Sequence, residues 1–280
     1  MRSAAFSFAC ILLYACTPNP VPGATAPASS SGGEASSAFE FGSIEAAING
    51  SHRTAADRAR DAARHPRETL EFLGIRPNQR VIELWPGDGW YTELLAPVLH
   101  DEGAAIAVVP EGPELSVYLG LLQSHPEIYD RVELVTITPA QPMSFGSEDS
   151  ADLAFSAGNF HAWLQAGIVD SVLAEVARVL KPGAVYGVIE PRAKPGTSRD
   201  LMLQTGYVTE ELVIESALKV GLVLEGRSQI NANPRDTKDH PAGVWTLPPT
   251  LRLGNANRQR YQAIGEPDRM TLRFRKPAIE

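Results

Sequence analysis

The stretch Arg80 to Val98, which reads RVIELWPGDGWYTELLAPV, decides the fold of this chain. Its residues 81–84 are mostly apolar and partly β-branched, as in a short buried strand. The four residues 86–89, PGDG, then turn the chain sharply into a segment from Trp90 that is predicted to be helical. A strand, a glycine turn and a helix in this order predict a ligand-binding corner.

Gly87 and Gly89 make room for a ligand at this corner. Without a Cβ atom, the backbone at these positions can take a positive φ, and a ligand can approach the main chain closely. The helix that follows directs its free N–H groups at whatever lies on the turn. Glu83, at the carboxyl end of the strand, is expected to face the same crevice.

The spacing of the glycines argues against a nicotinamide or flavin dinucleotide. A dinucleotide fingerprint requires a third glycine three residues after Gly89, where this chain has Thr92, and the sequence has no Walker loop. The pattern acid-x-x-x-Gly-x-Gly, formed by Glu83, Gly87 and Gly89, instead resembles the first motif of class I S-adenosylmethionine-dependent methyltransferases. A tight turn in another α/β protein is the alternative interpretation.

The resemblance implies that the glycines admit the methionine and ribose of S-adenosylmethionine. Trp85 stands where those enzymes usually have their first glycine, so its indole either packs under the turn or narrows the site. Those enzymes also place an acid after the second strand, here 104–109, where a carboxylate can accept hydrogen bonds from both ribose hydroxyls. Glu111 is the nearest carboxylate, with a surface loop acid as the alternative. The predicted cofactor-binding residues are Glu83, Trp85, Gly87, Asp88, Gly89, Trp90, Tyr91 and Glu111.

The N-terminus resembles a bacterial lipoprotein signal. A positive charge at Arg2 precedes a mostly apolar run that ends at Ala15, directly before Cys16. We therefore expect removal of residues 1–15, lipidation of Cys16, and a location on the periplasmic side of the outer membrane; a periplasmic protein with an ordinary cleaved signal is the rival. Cys10 and Cys16 are the only cysteines of the chain, so the mature protein can form no internal disulfide.

Residues 16–38 are rich in Pro, Ser, Ala and Gly and are predicted to be a disordered tether. Residues 39–280 then form one domain, and the hydrophobic content of 44% fits a globular core. The net charge of −8 gives no electrostatic reason to expect nucleic acid. We expect a monomer without a metal site.

Residues 53–73 are predicted to form two helical pieces that are broken at His65-Pro66 and end at Gly74. Their alternating charges are typical of a solvated helix face with i,i+3 and i,i+4 pairs. The alternative is a lid over the ligand, because the resembling enzymes often cover their cofactor with a helix that precedes the first strand.

A second candidate loop follows the predicted strands 131–138 and 151–156. Residues 157–163, AGNFHAW, leave the carboxyl end of the latter strand, where the loops of a doubly wound sheet line the ligand crevice. Asn159 can orient a substrate, and His161 can act as a general base near neutral pH. A packed structural histidine beside Phe160 and Trp163 is the equal alternative.

The helix predicted over 168–180 ends in RVLKPG, residues 178–183, before the strand 184–190. This passage resembles the approach to the fifth strand of class I methyltransferases. Glu190 and Arg192 follow on the crevice side, so we assign Glu190 to catalysis with Asn159 and His161, and Arg192 to the substrate.

The chain as a whole resembles a family of exported, lipoprotein-type bacterial proteins described as predicted class I S-adenosylmethionine-dependent methyltransferases. The resemblance covers residues 55–277 and is carried by DRARDAARHP, ELWPGDGWYTELLAP, NFHAW, RAKPGT, GYVTEE, INANPRDTKDHPAGVWTLPPTLRLG and IGEPDRM. Pro191 stands where the resemblance leads us to expect a histidine beside Glu190, so a role built on that histidine does not carry over.

Residues 209–220 are predicted to be an N-capped helix, followed by strands over 223–229 and 270–276. The segment 231–269 between these strands is far longer than a hairpin connection, and we interpret it as an insertion over the active face, with His240 and Trp245 at the substrate. An ordered Ω-like loop with solvated charges is the alternative.

These signals predict a doubly wound, seven-stranded, mostly parallel α/β sheet with an antiparallel last strand, the Rossmann-like class I methyltransferase fold. The function implied is transfer of a methyl group from S-adenosylmethionine to an unidentified acceptor, such as a small molecule. The alternative is a binding protein on the same fold without transfer activity, because S-adenosylmethionine is a cytoplasmic metabolite and the chain carries an export signal.

Overall fold

The computed structural model describes residues 39–138 and 142–278. The predicted signal, the lipidation site Cys16 and the tether lie outside the described residues. The strands are β1 Arg80–Leu84, β2 Ala104–Pro110, β3 Glu133–Ile137, β4 Ala151–Ala157, β5 Leu180–Pro191, β6 Val223–Ser228 and β7 Arg269–Arg275. The helices are α1 Ile44–Asn49, α2 Ala55–Ala59, α3 Asp61–Arg64, α4 Pro66–Leu73, α5 Thr92–Leu99, α6 Pro113–Ser124, α7 Pro126–Tyr129, α8 Phe160–Ala166, α9 Val169–Val179, α10 Arg199–Thr205, α11 Glu210–Lys219 and α12 Arg258–Ile264, with a 3₁₀ turn at Gly243–Thr246.

The strands form one seven-stranded sheet in the order β3-β2-β1-β4-β5-β7-β6. Strands β1 to β5 are parallel, and β7 runs antiparallel between β5 and β6. The predicted seven-stranded sheet with an antiparallel last strand is confirmed. The order reverses between β1 and β4, and in open α/β sheets the ligand crevice lies beyond the carboxyl ends of the strands at such a point.

The central strand β1 is buried on both faces because helices cover the sheet on each side. Ile82 and Leu84 belong to one apolar cluster with residues of α8, α9 and α11, whereas Val81 belongs to another with residues of α4 and α5. Glu83 is also buried, with an exposure of 5%. Strand β1 is therefore held in a fixed position, and the turn that follows it is held with it.

Residues 53–73 form three short helices rather than two, and the solvated-face interpretation is wrong for Arg53. Its guanidinium is fully buried and pairs with Asp61 at 2.7 Å and with Glu93 of α5 at 3.3 Å. Trp90 donates its indole N–H to the carbonyl of Asp57 at 3.0 Å. These contacts fasten α2 and α3 against the corner that follows β1.

Candidate functional site

A cleft of about 470 Å³ opens at the carboxyl end of β1. It is bounded by the turn after β1, the two residues before α5, the first turns of α6, the loop after β4, and Pro249 and Thr250 of the segment between β6 and β7. We call it the corner cleft. The predicted cofactor-binding residues that line it are Glu83, Trp85, Gly87, Asp88, Trp90 and Tyr91.

Gly87 and Gly89 differ in what their missing side chains would meet. Both take a positive φ, +62° and +86°. A Cβ atom on Gly87 would meet no atom within 4 Å, so the cleft reaches the backbone there. A Cβ atom on Gly89 would lie 2.1 Å from Cδ2 of Leu121 in α6. Gly89 therefore permits close packing against α6, and the prediction that it faces the ligand is wrong.

Trp85 takes the backbone conformation that a glycine would take, with a φ of +48°. Its indole packs edge-to-face on Trp163 at 5.3 Å and on Phe145 at 6.0 Å between ring centroids. These two aromatic contacts hold a conformation that costs a non-glycine residue about 1–2 kcal/mol. Of the two alternatives left by the sequence, the indole packs under the turn, although the residue still borders the cleft.

Glu114 takes the place in the cleft that the sequence assigned to Glu111. Glu111 is exposed and accepts a hydrogen bond from the hydroxyl of Thr138 at 3.0 Å, beyond the end of β3. Glu114, in the first turn of α6, lines the corner cleft. The signal available in the sequence was Gly112-Pro113, because proline is favoured in the first turn of a helix and so marks where α6 begins.

Glu83 is buried at the base of the corner cleft. Its carboxylate accepts a hydrogen bond of 2.6 Å from the hydroxyl of Thr92, which is itself 3.1 Å from the hydroxyl of Tyr118. Burial raises the pKa of Glu83 to about 8, although the Thr92 hydrogen bond opposes this shift. Because this pKa lies near neutral pH, the carboxyl group can either accept a hydrogen bond from a ligand or donate one to it.

A second cavity of about 250 Å³ adjoins the corner cleft. We call it the His161 cavity. Its floor is the carboxyl ends of β4 and β5, and its roof comes from the segment between β6 and β7 through Val244, Trp245 and neighbouring prolines. The walls that the two cavities share are Arg64, Tyr91, Ala157, Gly158, Pro249 and Thr250.

His161 and Glu190 form a pair at the edge of the His161 cavity. Nδ1 of His161 lies 2.7 Å from Oε1 of Glu190, and the backbone N–H groups of Phe160 and His161 donate to the same carboxylate at 3.0 and 3.1 Å. Burial lowers the pKa of His161, but the Glu190 charge and the hydrogen bond outweigh it, so the pKa lies above 6.5. Residues 160–166 are helical, so the predicted loop stops at Asn159.

Asn159 lines the corner cleft but uses its amide to hold the fold. Its Nδ2 atom donates to the carbonyl oxygens of Leu84 at 2.8 Å and Trp85 at 3.1 Å. The side chain thus joins the loop after β4 to the turn after β1. It positions the two walls of the cleft and has no contact with His161 in the described hydrogen bonds.

The three predicted substrate residues lie in three different places. Trp245 lines the His161 cavity, with its ring centroid 5.8 Å from that of His161. Arg192 lines neither cavity, since its guanidinium is bound to Asp268 at 2.8 and 3.0 Å and to Glu210 at 3.1 Å. His240 borders a separate pocket and pairs with Asp236 at 2.9 Å. The substrate predictions for Arg192 and His240 are therefore wrong for this cleft.

Asp236 organises the segment between β6 and β7 from within. Its buried carboxylate accepts hydrogen bonds from the Tyr207 hydroxyl at 3.0 Å and the backbone N–H of Asp268 at 2.8 Å, besides His240. A segment fixed in this way presents Trp245 and Thr250 to the cavities as an ordered roof.

Solved structures with the same architecture include methyltransferases and a cyclase. An S-adenosylmethionine-dependent methyltransferase from Aquifex aeolicus matches with a TM-score of 0.53 and 14% identity over 78% of this chain and 93% of its own. One from Methanosarcina mazei matches with a TM-score of 0.52 and 11% identity over 75% and 98%. The [4+2]-cyclase SpnF matches with a TM-score of 0.54 and 17% identity over 80% and 82%.

The chain has the class I methyltransferase fold. No protein-family model matches the chain, and no curated protein matches it in sequence. In this class I methyltransferase fold, the corner cleft lies at the carboxyl ends of β1 and β2, and the His161 cavity lies at those of β4 and β5.

Within residues 39–138 and 142–278, no three side chains among His, Cys, Asp and Glu come together as a metal site. No helix in these ranges combines the length and the apolar character needed to cross a bilayer.

Proposed function

We propose that this chain is an S-adenosylmethionine-dependent methyltransferase that binds its cofactor in the corner cleft and its methyl acceptor in the His161 cavity. The observation that carries the proposal is the shared wall of the two cavities, with Tyr91 and Gly158 belonging to both. Two ligands bound in adjoining cavities would be held close enough to react, and such positioning can contribute a large part of a rate enhancement.

The residues of the corner cleft fit this cofactor. The backbone at Gly87 is open to the cleft, and Glu83 and Glu114 are carboxyl groups that can accept hydrogen bonds from ribose hydroxyls. Tyr91 lines the cleft with an aromatic ring, and the face of such a ring attracts a sulfonium cation, whereas the Trp90 ring already has Arg53 and Arg64 over it. When bound, S-adenosylmethionine supplies an electrophilic methyl group on a positively charged sulfur.

The chain's own contribution in the His161 cavity is removal of a proton. Glu190 accepts a hydrogen bond from the Nδ1–H group of His161, which leaves Nε2 of the neutral imidazole as an acceptor. The proton of the acceptor's hydroxyl, amine or thiol would pass to this Nε2 atom as the methyl group is received, forming an imidazolium next to the Glu190 carboxylate. Trp245, packed against the imidazole, restricts its movement and excludes water.

Calorimetry and thermal unfolding of the full-length chain test the cofactor. We expect S-adenosylhomocysteine to bind and to raise the melting temperature by several degrees, since ligand at a hundredfold excess over Kd adds about 2.7 kcal/mol. NAD should have no effect. Gly87→Val should abolish binding, because the valine side chain would enter the cleft. The variant should still fold and show a thermal unfolding transition. A wild-type chain that neither binds S-adenosylmethionine nor shifts in melting would overturn the proposal.

A binding protein without transfer activity is the second candidate. Trp85 supports it, because it borders the cleft at the position where the resembling enzymes have a glycine. The structural likeness to a [4+2]-cyclase also illustrates that one fold carries different activities. This candidate predicts that calorimetry detects small molecules in the His161 cavity, while S-adenosylmethionine gives no heat and no labelled methyl group is transferred.

We further propose that the chain is anchored in the cell envelope through a lipid on Cys16. The support is the apolar run that ends in LYAC at residues 13–16 and the Pro-, Ser- and Gly-rich stretch after it. Cys16→Ser should move the protein from the membrane fraction to the soluble fraction and abolish labelling by a fatty acid. A variant that stays in the membrane fraction would contradict the anchor.

A further inference from the structure

Apart from Tyr91, the titratable side chains that line the His161 cavity belong to basic residue types. They are Arg64, Arg269 and His161, and no carboxylate lines this cavity within the described ranges. The corner cleft differs, since three carboxyl side chains, Glu83, Asp88 and Glu114, line it together with Arg64. The His161 cavity is therefore the half of the site with the more basic lining.

Among these cations, Arg269, the first residue of β7, has a buried hydrogen-bond donor without a partner among the described residues. Its side chain is only 9% exposed, and its Nη2 atom donates to Glu266 at 2.6 Å. Its Nη1 atom is buried and has no hydrogen-bond partner among the described residues. Leaving a charged donor buried and unpaired costs free energy, so an anion that accepts from this atom would recover it.

Glu266 cannot neutralise the arginines around it. It is paired with Arg60 at 2.8 Å, Arg64 at 3.1 Å and Arg269 at 2.6 Å, which sets one negative charge against three positive ones. Arg60 has a second partner in the exposed Asp88 at 3.3 Å, whereas Arg64 donates only through Nε in the described hydrogen bonds. The excess positive charge therefore lies on Arg64 and Arg269, the two arginines that line the cavity.

The remaining wall of the cavity is largely apolar or aromatic. It includes Ile189, Val244, Trp245 and Tyr91, with prolines of the roof. In such surroundings a charge pair is screened less than in water, so a single anionic group on a ligand would be recognised strongly.

We propose that the methyl acceptor is a small molecule with an apolar body and one oxyanion, a carboxylate or a phosphate, which pairs with Arg269 and Arg64 while its nucleophilic atom faces His161. That the ligand is a methyl acceptor rests on the proposed function. The anion site itself does not require a cofactor. Arginine suits this role because its guanidinium can donate two parallel hydrogen bonds to either oxyanion.

The test is calorimetry of the full-length chain with three probes at pH 7: 4-hydroxybenzoate, its neutral analogue 4-hydroxybenzamide, and phenyl phosphate. The variants are Arg269→Gln, the charge-preserving Arg269→Lys, and Arg60→Gln as a matched control. Arg60→Gln also removes one partner of Glu266, but Arg60 lines neither cavity. Binding of S-adenosylhomocysteine to every variant is measured in separate titrations.

We expect at least one anionic probe to bind tenfold or more tightly than the amide. Arg269→Gln should remove that preference, Arg269→Lys should keep most of it, and Arg60→Gln should change it less than twofold. Tighter binding of phenyl phosphate would assign a phosphate acceptor, and tighter binding of 4-hydroxybenzoate a carboxylate.

Binding of both anionic probes no tighter than that of the amide, no binding of either anion, or an equal loss in Arg60→Gln and Arg269→Gln would overturn the inference. The S-adenosylhomocysteine titrations separate it from the proposed function. Arg269 lines only the His161 cavity, so its variants should bind S-adenosylhomocysteine within twofold of wild type. A wild-type chain that binds S-adenosylhomocysteine but shows no preference for an anionic probe refutes the inference alone, and a wild-type chain with the anion preference but no S-adenosylhomocysteine binding refutes the cofactor alone.

Discussion

His161 and Glu190 are joined by a hydrogen bond of 2.7 Å between Nδ1 and Oε1, and the same carboxylate accepts the first backbone N–H groups of α8. One buried acid from β5 therefore fixes both the start of the helix and the orientation of the imidazole. Because the partner binds Nδ1, the tautomer with a free Nε2 is favoured. This arrangement is the strongest reason to consider His161 a general base.

The His161 pKa should depend on Glu190. Burial lowers this pKa and the carboxylate raises it by more, so the net shift is upward from 6.5. A base acts when neutral, so turnover should rise with pH through this raised pKa and be lost below it. In Glu190→Gln the midpoint of the His161 ring signal, followed by NMR against pH, should move to lower pH. A midpoint that stays or rises would refute the coupling, and Glu190→Asp serves as the charge-preserving control.

Glu114, rather than Glu111, should contribute to cofactor affinity. Glu114→Gln removes an acceptor from the corner cleft, and we expect a loss of about 1–2 kcal/mol, or roughly tenfold in Kd for S-adenosylhomocysteine. Glu111→Gln is the matched control, since Glu111 lies outside the cleft and binds Thr138. Calorimetry that finds equal losses in both variants would contradict this assignment, and a larger loss in Glu111→Gln would return the ribose role to Glu111.

Gly87→Ala and Gly89→Ala should differ in their effect on stability. Both substitutions place a Cβ atom at a positive φ, which costs about 1 kcal/mol, but only Gly89→Ala meets Leu121 at 2.1 Å. Urea unfolding should therefore show the larger loss in Gly89→Ala. Leu121→Ala should cost less in the Gly89→Ala background than in wild type, and equal costs in the two backgrounds would disprove the contact.

Glu83 should make the free energy of unfolding decrease with rising pH. Its pKa is raised by burial to about 8 from 4.5, so the folded state binds the proton more tightly than the unfolded state. That stabilisation is present below the unfolded value and is lost as pH rises through about 8. Glu83→Gln, which can still accept from Thr92, should lessen the decrease between pH 5 and 9 in thermal unfolding. An unchanged slope would place the ionisation elsewhere.

Glu266, in contrast to Glu83, should make the free energy of unfolding increase with rising pH. Burial opposes its ionisation, but Arg269, Arg64 and Arg60 outweigh burial and lower its pKa to about 2. Its stabilisation, about 3 kcal/mol from a shift of this size, is present above the unfolded value of 4.5 and is lost toward pH 2. Glu266→Gln should be less stable than wild type at pH 7, with a gap that narrows from pH 5 to pH 3. A gap that does not change with pH would contradict the assignment.

The sequence predicted the sheet because its signals are local. The apolar run of β1 and the turn at 86–89 occupy adjacent residues, and the strands predicted over 104–109, 151–156 and 223–229 lie within one residue of β2, β4 and β6 at each end. The seven-stranded sheet and its antiparallel last strand followed from the order of such elements.

The sequence predicted six residues that line the corner cleft but misplaced others. A helix that begins at Pro113 places the exposed Glu114 at the cleft and leaves Glu111 near the end of β3, and Leu121 of the same helix occupies the space beside Gly89. Arg192 was predicted at the crevice, yet two acids from distant segments hold its guanidinium. Each of these outcomes depends on a partner far away in the chain.

The two arginines that line the His161 cavity also show the difference between what the sequence and the tertiary structure determine. Arg64 precedes β1 and Arg269 begins β7, and only the sheet order and the packing of α3 bring both against Glu266 and the cavity. Backbone hydrogen bonding and hydrophobic patterning act over a few residues, so the sequence by itself determined the strands and the corner. Burial and charge pairing act between segments of any separation, so only the tertiary structure decided which groups of the site meet a ligand.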